Sequence, residues 1–435
     1  MRNTMKTGTA KVGCCASIID VPLFTELYGY GPFLGRRNRG VLDRLYCRCA
    51  SFYDNNARVI IISNDLVTMD RECAWEVRKK ISRKTGTPPH NIMVCGSHTH
   101  SGPTISKGIG WGELDPAFVA NWVKTAVRTA VAAVRDETPV TMCCGVAPLA
   151  EKIGDNRIWK DGPTDPEIRW AGFYARTHEL KLFMHNHGMH GVVFGSAMLH
   201  VSADWPGAVN QALLDRKIAG NVLFLQGAAG DINTSPCCLP LEEGKKSMAE
   251  IAGVYVKSLV SGLGSRCPAT AFPIKAELKK VELPSEPVTM EYLRDMVPKV
   301  REYGSVYQAN RMEEMALYME AGGRITVKTD LQTLRIGDLL IYAMGGEPFC
   351  EIGRAILDQN PSRAAMVASI ANDNLRYIPT QKAFAENPDI LAKKKGYGYY
   401  ETQFTGFGRY RCKYRADVGP FLIKHYSAMA KKIMR

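Results

Sequence analysis

The chain has 435 residues, 46% of them hydrophobic, and a formal net charge of +13. That length and composition suit a large buried core, expected as one catalytic domain over 1–435. No run of 18 apolar residues crosses a bilayer, and the opening "MRNTMKTGTAKVGCC" has no apolar leader, so a cytoplasmic protein without a transmembrane segment is expected. Thirteen cysteines include the adjacent pairs Cys14-Cys15, Cys143-Cys144 and Cys237-Cys238 but no CxxC, a pattern of reduced thiols rather than of a disulfide framework or zinc knuckle.

In chain order, "ARVIIISNDL" is an apolar run that predicts a buried strand entering a loop. "VTMDRECAWEVRKKISRKTG" predicts a helix ending at Gly86, and 91–98 the next strand. "DPAFVANWVKTAVRTAVAAVRDE" predicts a helix with Asp115 as N-cap and Pro116 in the first turn, its stripe Phe118, Trp122, Ala126, Ala130 and Val134 turned to the core. Strands are expected at 139–148, 180–186, 191–199 and 221–226, with helices at 207–218 and 239–263. Further strands fall near 274–283, 323–335, 338–343 and 365–371. Helices fall near 289–303, 309–321, 348–358 and 419–433. The alternation is that of an α/β protein with mixed β-sheets flanked by helices.

Polar residues gather at the ends of these strands. His98 and His100 in "VCGSHTHSGPT" are spaced i, i+2, so in a strand both would face one side. His200 follows the apolar "GVVFGSAML". "LFLQGAAGDINTSP" runs into small residues, then Asp231 and Asn233. Glu347 follows two glycines in "IYAMGGEPFCEIG", and Tyr377 lies in "NDNLRYIPT". In open α/β sheets ligands bind at the carboxyl ends of strands. Histidines and a carboxylate meeting there suit one zinc with a position left for water. On spacing alone, two histidines in a surface turn are an equal alternative.

"SHTHSGP", "GAAGDIN" and "GGEPF", in that order, resemble the neutral/alkaline ceramidases, zinc amidases that split ceramide. The stretch from Val21 to Phe52 also resembles that family's opening, where a glycine-rich segment leads to Gly40-Val41, Asp43, Leu45-Tyr46 and Arg48. The resemblance implies a ceramidase-like catalytic domain with one Zn2+ per chain held by His98, His200, Glu347 and Tyr377. It implies that His100 faces the substrate, that Arg157 of "DNRIW" binds a carbonyl or polar head group, and that Tyr400 of "GYGYYET", with Tyr399 as its rival, supports the oxyanion. Two departures stand out. Asn233 occupies the place of the family's serine nucleophile, with Ser235 two residues on, and the family's C-terminal immunoglobulin-like domain has no counterpart in 1–435.

An asparagine amide hydrogen-bonds but does not attack a carbonyl. The expected chemistry is therefore direct attack by water activated at zinc, on an amide or on an ester or lactone, with a substrate other than ceramide. His100 would move the proton to the leaving group, and Asn233 would hold the substrate oxygen. A zinc enzyme cutting a glycosidic or other non-acyl bond, and a non-catalytic zinc-binding protein, are the alternatives. The partner expected is a small molecule, anionic or strongly polar, drawn by the basic face Arg409, Arg411, Lys413 and Arg415; a solvated strand face explains that alternation equally well. No nucleic-acid motif accompanies the charge, so no nucleic-acid partner is expected.

Overall fold

A computed structural model describes residues 10–31, 34–106, 112–263, 273–302, 306–362, 364–387, 401–402 and 413–435. Tyr399, Tyr400, Arg409 and Arg411 lie outside them. The elements are β1 (Lys11–Ile19), β2 (Leu45–Tyr53), β3 (Arg58–Asn64), α1 (Arg71–Thr85), β4 (Ile92–Gly96), α2 (Pro116–Arg135), β5 (Thr138–Pro148), β6 (Gly154–Asn156), β7 (Glu167–Ala175) and β8 (Leu180–His187). There follow α3 (Asp204–Asp215), β9 (Val222–Gln226), β10 (Ile232–Thr234), α4 (Leu241–Gly262), β11 (Ile274–Glu282), α5 (Met290–Glu302), α6 (Val306–Glu320) and β12 (Lys328–Ile336). The last are β13 (Leu339–Ala343), β14 (Glu347–Pro348), α7 (Cys350–Asp358), β15 (Ala364–Ala368), β16 (Tyr377–Ile378), α8 (Gln381–Glu386) and α9 (Val418–Met434).

Two mixed sheets face each other. The larger runs β4-β3-β2-β1-β5-β7-β8-β9 and the smaller β11-β12-β13-β15. Pairing is antiparallel except for β3–β4, β8–β9 and β13–β15. Strand side chains alternate between faces, and both faces are covered here, which explains the unbroken apolar runs Val59–Ile62 of β3 and Ile92–Cys95 of β4. Ile61, Met93 and Cys95 join Ile341 and Met366 of the smaller sheet in one core, while Ile60, Ile62, Ile92 and Val94 pack under α1 and α2. α3 and α4 cover the rest of the large sheet, and α7 and α9 cover the small one. The result is four layers, helix–sheet–sheet–helix. Among the described residues no helix is long and apolar enough to cross a membrane.

The local signals around α1 and α2 act as expected. The Asp70 carboxylate accepts from the first-turn N–H groups of α1, and Gly86 closes it with φ 72°. Asp115 accepts from Ala117 N and Phe118 N at the start of α2.

Two expectations are corrected. Residues 191–199 form no regular strand; they run as an irregular buried loop with single bridges from Thr99 to Gly191 and from Phe194 to Leu239. A buried apolar run has the same composition whether it pairs in a ladder or not, and here Gly191 lets the backbone approach His98 O so closely that a Cβ would lie 2.7 Å from it. The strand expected to reach His98 stops at Gly96, and His98 has φ 68°. The shared direction of His98 and His100 therefore arises from a loop, not from strand alternation. Of the basic segment 406–415, only 413–415 are among the described residues; there Tyr414 bridges Ser285 and Arg415 pairs with Asp417.

Candidate metal centre

The carboxyl ends of strands from both sheets converge. The loop after β4 brings His98 and His100; His98 N donates to Leu66 O, and His100 N to Gly191 O. The exit of β8 brings His190. The turn after β13 brings Glu347, whose short strand β14 pairs in parallel register with β16 so that Glu347 and Tyr377 lie side by side. Glu347 N donates to Arg376 O, and Gly230 N to Pro348 O, fixing β14 against the turn that follows β9.

The side chains of His98, His100 and His190 are buried, and one ring nitrogen of each lies within 4.8 Å of the others. His98 Nε2 is 3.3 Å from His100 Nε2. Glu347 Oε2 is 3.4 Å from both His98 Nε2 and His190 Nε2. The far nitrogens of two rings are anchored: His98 Nδ1 donates to Val67 O at 2.6 Å, and His190 Nδ1 donates to Ala229 O at 2.7 Å. These bonds fix the tautomer and turn both Nε2 lone pairs inward, as backbone carbonyls do behind metal-bound imidazoles. His190 Nε2 and Glu347 Oε2, both buried, have no partner in hydrogen-bonding geometry. Orphaned buried acceptors of this kind are costly in a native fold unless something binds them. Two atoms each about 2.0 Å from one zinc are separated by roughly 3.3 Å in tetrahedral geometry, close to the His98–His100, His98–Glu347 and His190–Glu347 spacings.

The electrostatics agree. Burial pushes the His100 imidazole well below its ordinary range, reinforced by His98 and His190, and takes His190 down to about 4, reinforced by Arg157. Neutral imidazoles are the form that binds metal. Burial opposes the charge of Glu347, but His98 and His190 hold its carboxyl well below the usual range. His100 is packed rather than bonded at its far side. The Tyr30 ring meets it edge-on at 5.2 Å between centroids, and at Gly29, with φ 117°, a Cβ would sit 2.6 Å from its Cγ.

The remaining expected residues among those described fall around this group, with one exception. Tyr377 stacks beside His190 with centroids 6.5 Å apart, and the Arg157 guanidinium lies 5.2 Å from the Tyr377 ring. The Arg157 side chain is buried and held by Gly230 O at 2.7 Å, Asn233 Oδ1 at 3.3 Å and Glu401 at 2.8 Å. Asn233 sits on β10, paired with β6; its amide N–H donates to Cys237 Sγ at 3.7 Å. The asparagine amide expected to hold a substrate oxygen is thus engaged on both sides. Asp231 accepts from Cys350 N and Asn156 Nδ2, fixing the turn before Asn233.

The exception is His200. It is half-buried beside Gly40, in the stretch where Val201 bridges Val41, and it is not in the histidine group. A strand at 191–199 makes His200 the residue at a strand end and leaves His190 without a role; the irregular path of this loop removes that ground. The signal for His190 is nonetheless present: "HGMHG" places it just past the carboxyl end of β8, directly before Gly191 and two residues after Gly188. Glu401, which holds Arg157, was also missed; it neighbours the expected Tyr400.

No family model matches the sequence. Among solved structures, the neutral ceramidase from Pseudomonas aeruginosa superposes with a TM-score of 0.74 at 15% identity, over 98% of this chain and 75% of the ceramidase chain. A structure described as a ceramidase complexed with C2 superposes with a TM-score of 0.75, also at 15% identity, over 98% of this chain and 76% of its own. The chain has a neutral-ceramidase-like α/β fold, and its buried group His98, His100 and His190 could hold a metal ion.

Proposed function

We propose, from the premise of a ceramidase-like fold built around three convergent histidines, that this chain is a zinc-dependent hydrolase cleaving an amide, or an ester or lactone, in a substrate other than ceramide. The observation that carries this reading is the meeting of His98, His100, His190 and Glu347, with His190 Nε2 and Glu347 Oε2 otherwise unpartnered. In this reading those four residues hold one zinc, with Tyr377 beside them. His190 takes the place the sequence reading gave to His200, and His100 moves from proton carrier to ligand.

Zinc, when bound, supplies Lewis acidity and a water acidic enough to react near neutral pH. The protein supplies the rest. Val67 O and Ala229 O orient two imidazoles. Glu347 contributes the negative charge that balances the cation. Arg157, held over the Tyr377 ring by Gly230 and Glu401, places a fixed positive charge beside the centre, where an oxyanion develops. Asn233, joined to Arg157, keeps that guanidinium in register. With no hydroxyl at position 233, a single displacement by water is the proposed route.

The test is turnover of N-acyl, ester and lactone libraries by the purified protein before and after chelation, then with zinc restored. Activity on an acyl substrate that disappears with the metal and returns with it supports the reading. Equal activity in the metal-free protein, or a covalent acyl adduct trapped during turnover, contradicts it.

A further inference from the structure

We propose that Cys237 and Cys238 form an oxidisable dithiol beside the metal centre, with Cys237 the thiol that reacts with peroxide and Cys238 the thiol that closes the disulfide. The proposal goes beyond the hydrolase reading and does not depend on it.

The two thiols are placed by the same framework as the centre. Cys237 is partly buried and Cys238 is exposed. Cys237 Sγ accepts from the Asn233 amide, and that asparagine's oxygen accepts from Arg157. Cys238 N donates to Val192 O at 2.8 Å, in the loop that carries His190. Tyr30 neighbours the Cys238 thiol and touches His100 edge-on. The pair therefore bridges two walls of the centre, Asn233–Arg157 on one side and Tyr30–His100 on the other.

The chemistry of that position favours a thiolate. The groups facing Cys237 are Cys238, Asn233, Arg157 and Asp155; Tyr30 and Asp204 face Cys238. The hydrogen bond from Cys238, joined by the Asn233 amide and the Arg157 charge, lowers the Cys237 thiol to about 6 against the opposing effects of burial and Asp155. Other described cysteines go the other way: burial raises Cys14, Cys47, Cys73 and Cys95 to about 12. The thiolate is the reactive form, so oxidation is directed to one partly exposed site.

The steps balance with a peroxide as oxidant. The Cys237 sulfur attacks one peroxide oxygen and the O–O bond breaks. The departing hydroxide takes a proton from solvent, leaving a sulfenic acid. The Cys238 sulfur then attacks the Cys237 sulfur and the S–O bond breaks. The hydroxyl leaves as water with the Cys238 proton. One peroxide is consumed, two hydrogens leave the protein and two waters form. Adjacent Cα atoms are about 3.8 Å apart, shorter than the roughly 4.4–6.8 Å of ordinary disulfides, so the product is strained and readily reduced.

The experiment treats the full-length, zinc-supplemented protein with dilute hydrogen peroxide and maps each cysteine by differential alkylation and peptide mass. The expected result is loss of two hydrogens from the peptide spanning Cys237 and Cys238, ahead of any change at Cys73 or Cys144, and reversed by a thiol reductant. In Cys238→Ser, a sulfenic acid trapped by dimedone accumulates at Cys237. In untreated wild type, iodoacetamide labels Cys237 first, with a rate half-maximal near pH 6. Oxidation of Cys73 or Cys144 as fast as the pair, or Cys237 labelling that rises only near the ordinary thiol range, would overturn the proposal.

Discussion

His185 and His190 lie on the same strand and its exit, both are fully buried, and burial lowers both imidazoles to about 4. Their surroundings differ. His185 is bonded at both nitrogens, to Tyr255 Oη at 3.1 Å and to Asn210 Oδ1 at 2.9 Å, inside an aromatic core with Phe183 and Phe224. His190 is bonded at Nδ1 alone, and its Nε2 points at another histidine group and a carboxylate. A buried histidine with both nitrogens satisfied is part of the core. One with an orphaned nitrogen aimed at other ligand atoms is part of a site. Burial and a depressed pKa do not separate the two; hydrogen-bond accounting does.

Substitution at the two positions should sharpen that contrast most. Outer residues that merely orient a ligand change metal affinity by about 10–100-fold, so removing a ligand in His190→Ala should exceed that range. His185→Phe should leave metal affinity unchanged and lower stability by ~1–3 kcal/mol, because Asn210 and Tyr255 lose their partner. Zinc titration and denaturant unfolding of both variants measure the two effects. Equal loss of metal from both would erase the distinction.

The next effect in size concerns Asn233. Asn233→Ala should keep its zinc and slow turnover by less than the roughly 10²–10³-fold lost when an oxyanion donor itself is removed, because Asn233 acts only by aligning Arg157. A variant with wild-type kcat would show that Arg157 needs no help from it. Gly29→Ala follows. Its added methyl would meet the His100 ring in a backbone conformation that disfavours Cβ, costing ~1–2 kcal/mol of stability and weakening zinc while leaving His98 and His190 in place. Unchanged zinc affinity would argue that His100 is no ligand.

A pH dependence is expected as well. Asp204, buried at the start of α3 and accepting from Val193 N and Trp205 N, is raised by burial to about 7 from an ordinary 3.8. The fold therefore favours its neutral form. That contribution is complete below the unfolded value and is lost as pH rises through about 7. Thermal unfolding should show stability falling between about pH 4 and about pH 7, less steeply in Asp204→Asn. Some slope should persist, since Asp231 is raised to about 7 as well. Identical slopes in variant and wild type would exclude Asp204 as a contributor.

The fold was legible where local chemistry decides it. Capping residues and apolar periodicity define α1 and α2, and the doubly apolar run of β3 announces burial on both faces. It was not legible where tertiary pairing decides. β7, "EIRWAGFYA", has almost every residue buried and so lacks alternation, and it was not expected. The run 191–199 looks equally strand-like yet stays irregular. The site followed the same division. His98, His100, Glu347, Tyr377, Arg157 and Asn233 carry motifs in sequence and gather around one centre. His190 carries no motif beyond the nearby Gly188 and Gly191, and only the packing of the loop after β8 against Ala229 brings it in. His200, with more suggestive flanks, faces Gly40 instead.

The measurement that bears most directly on this account is zinc per chain in wild type, His190→Ala and His200→Ala, each purified with zinc and dialysed against the same buffer. The account predicts one zinc in wild type and in His200→Ala, and none in His190→Ala. Zinc retained by His190→Ala but lost from His200→Ala would contradict it.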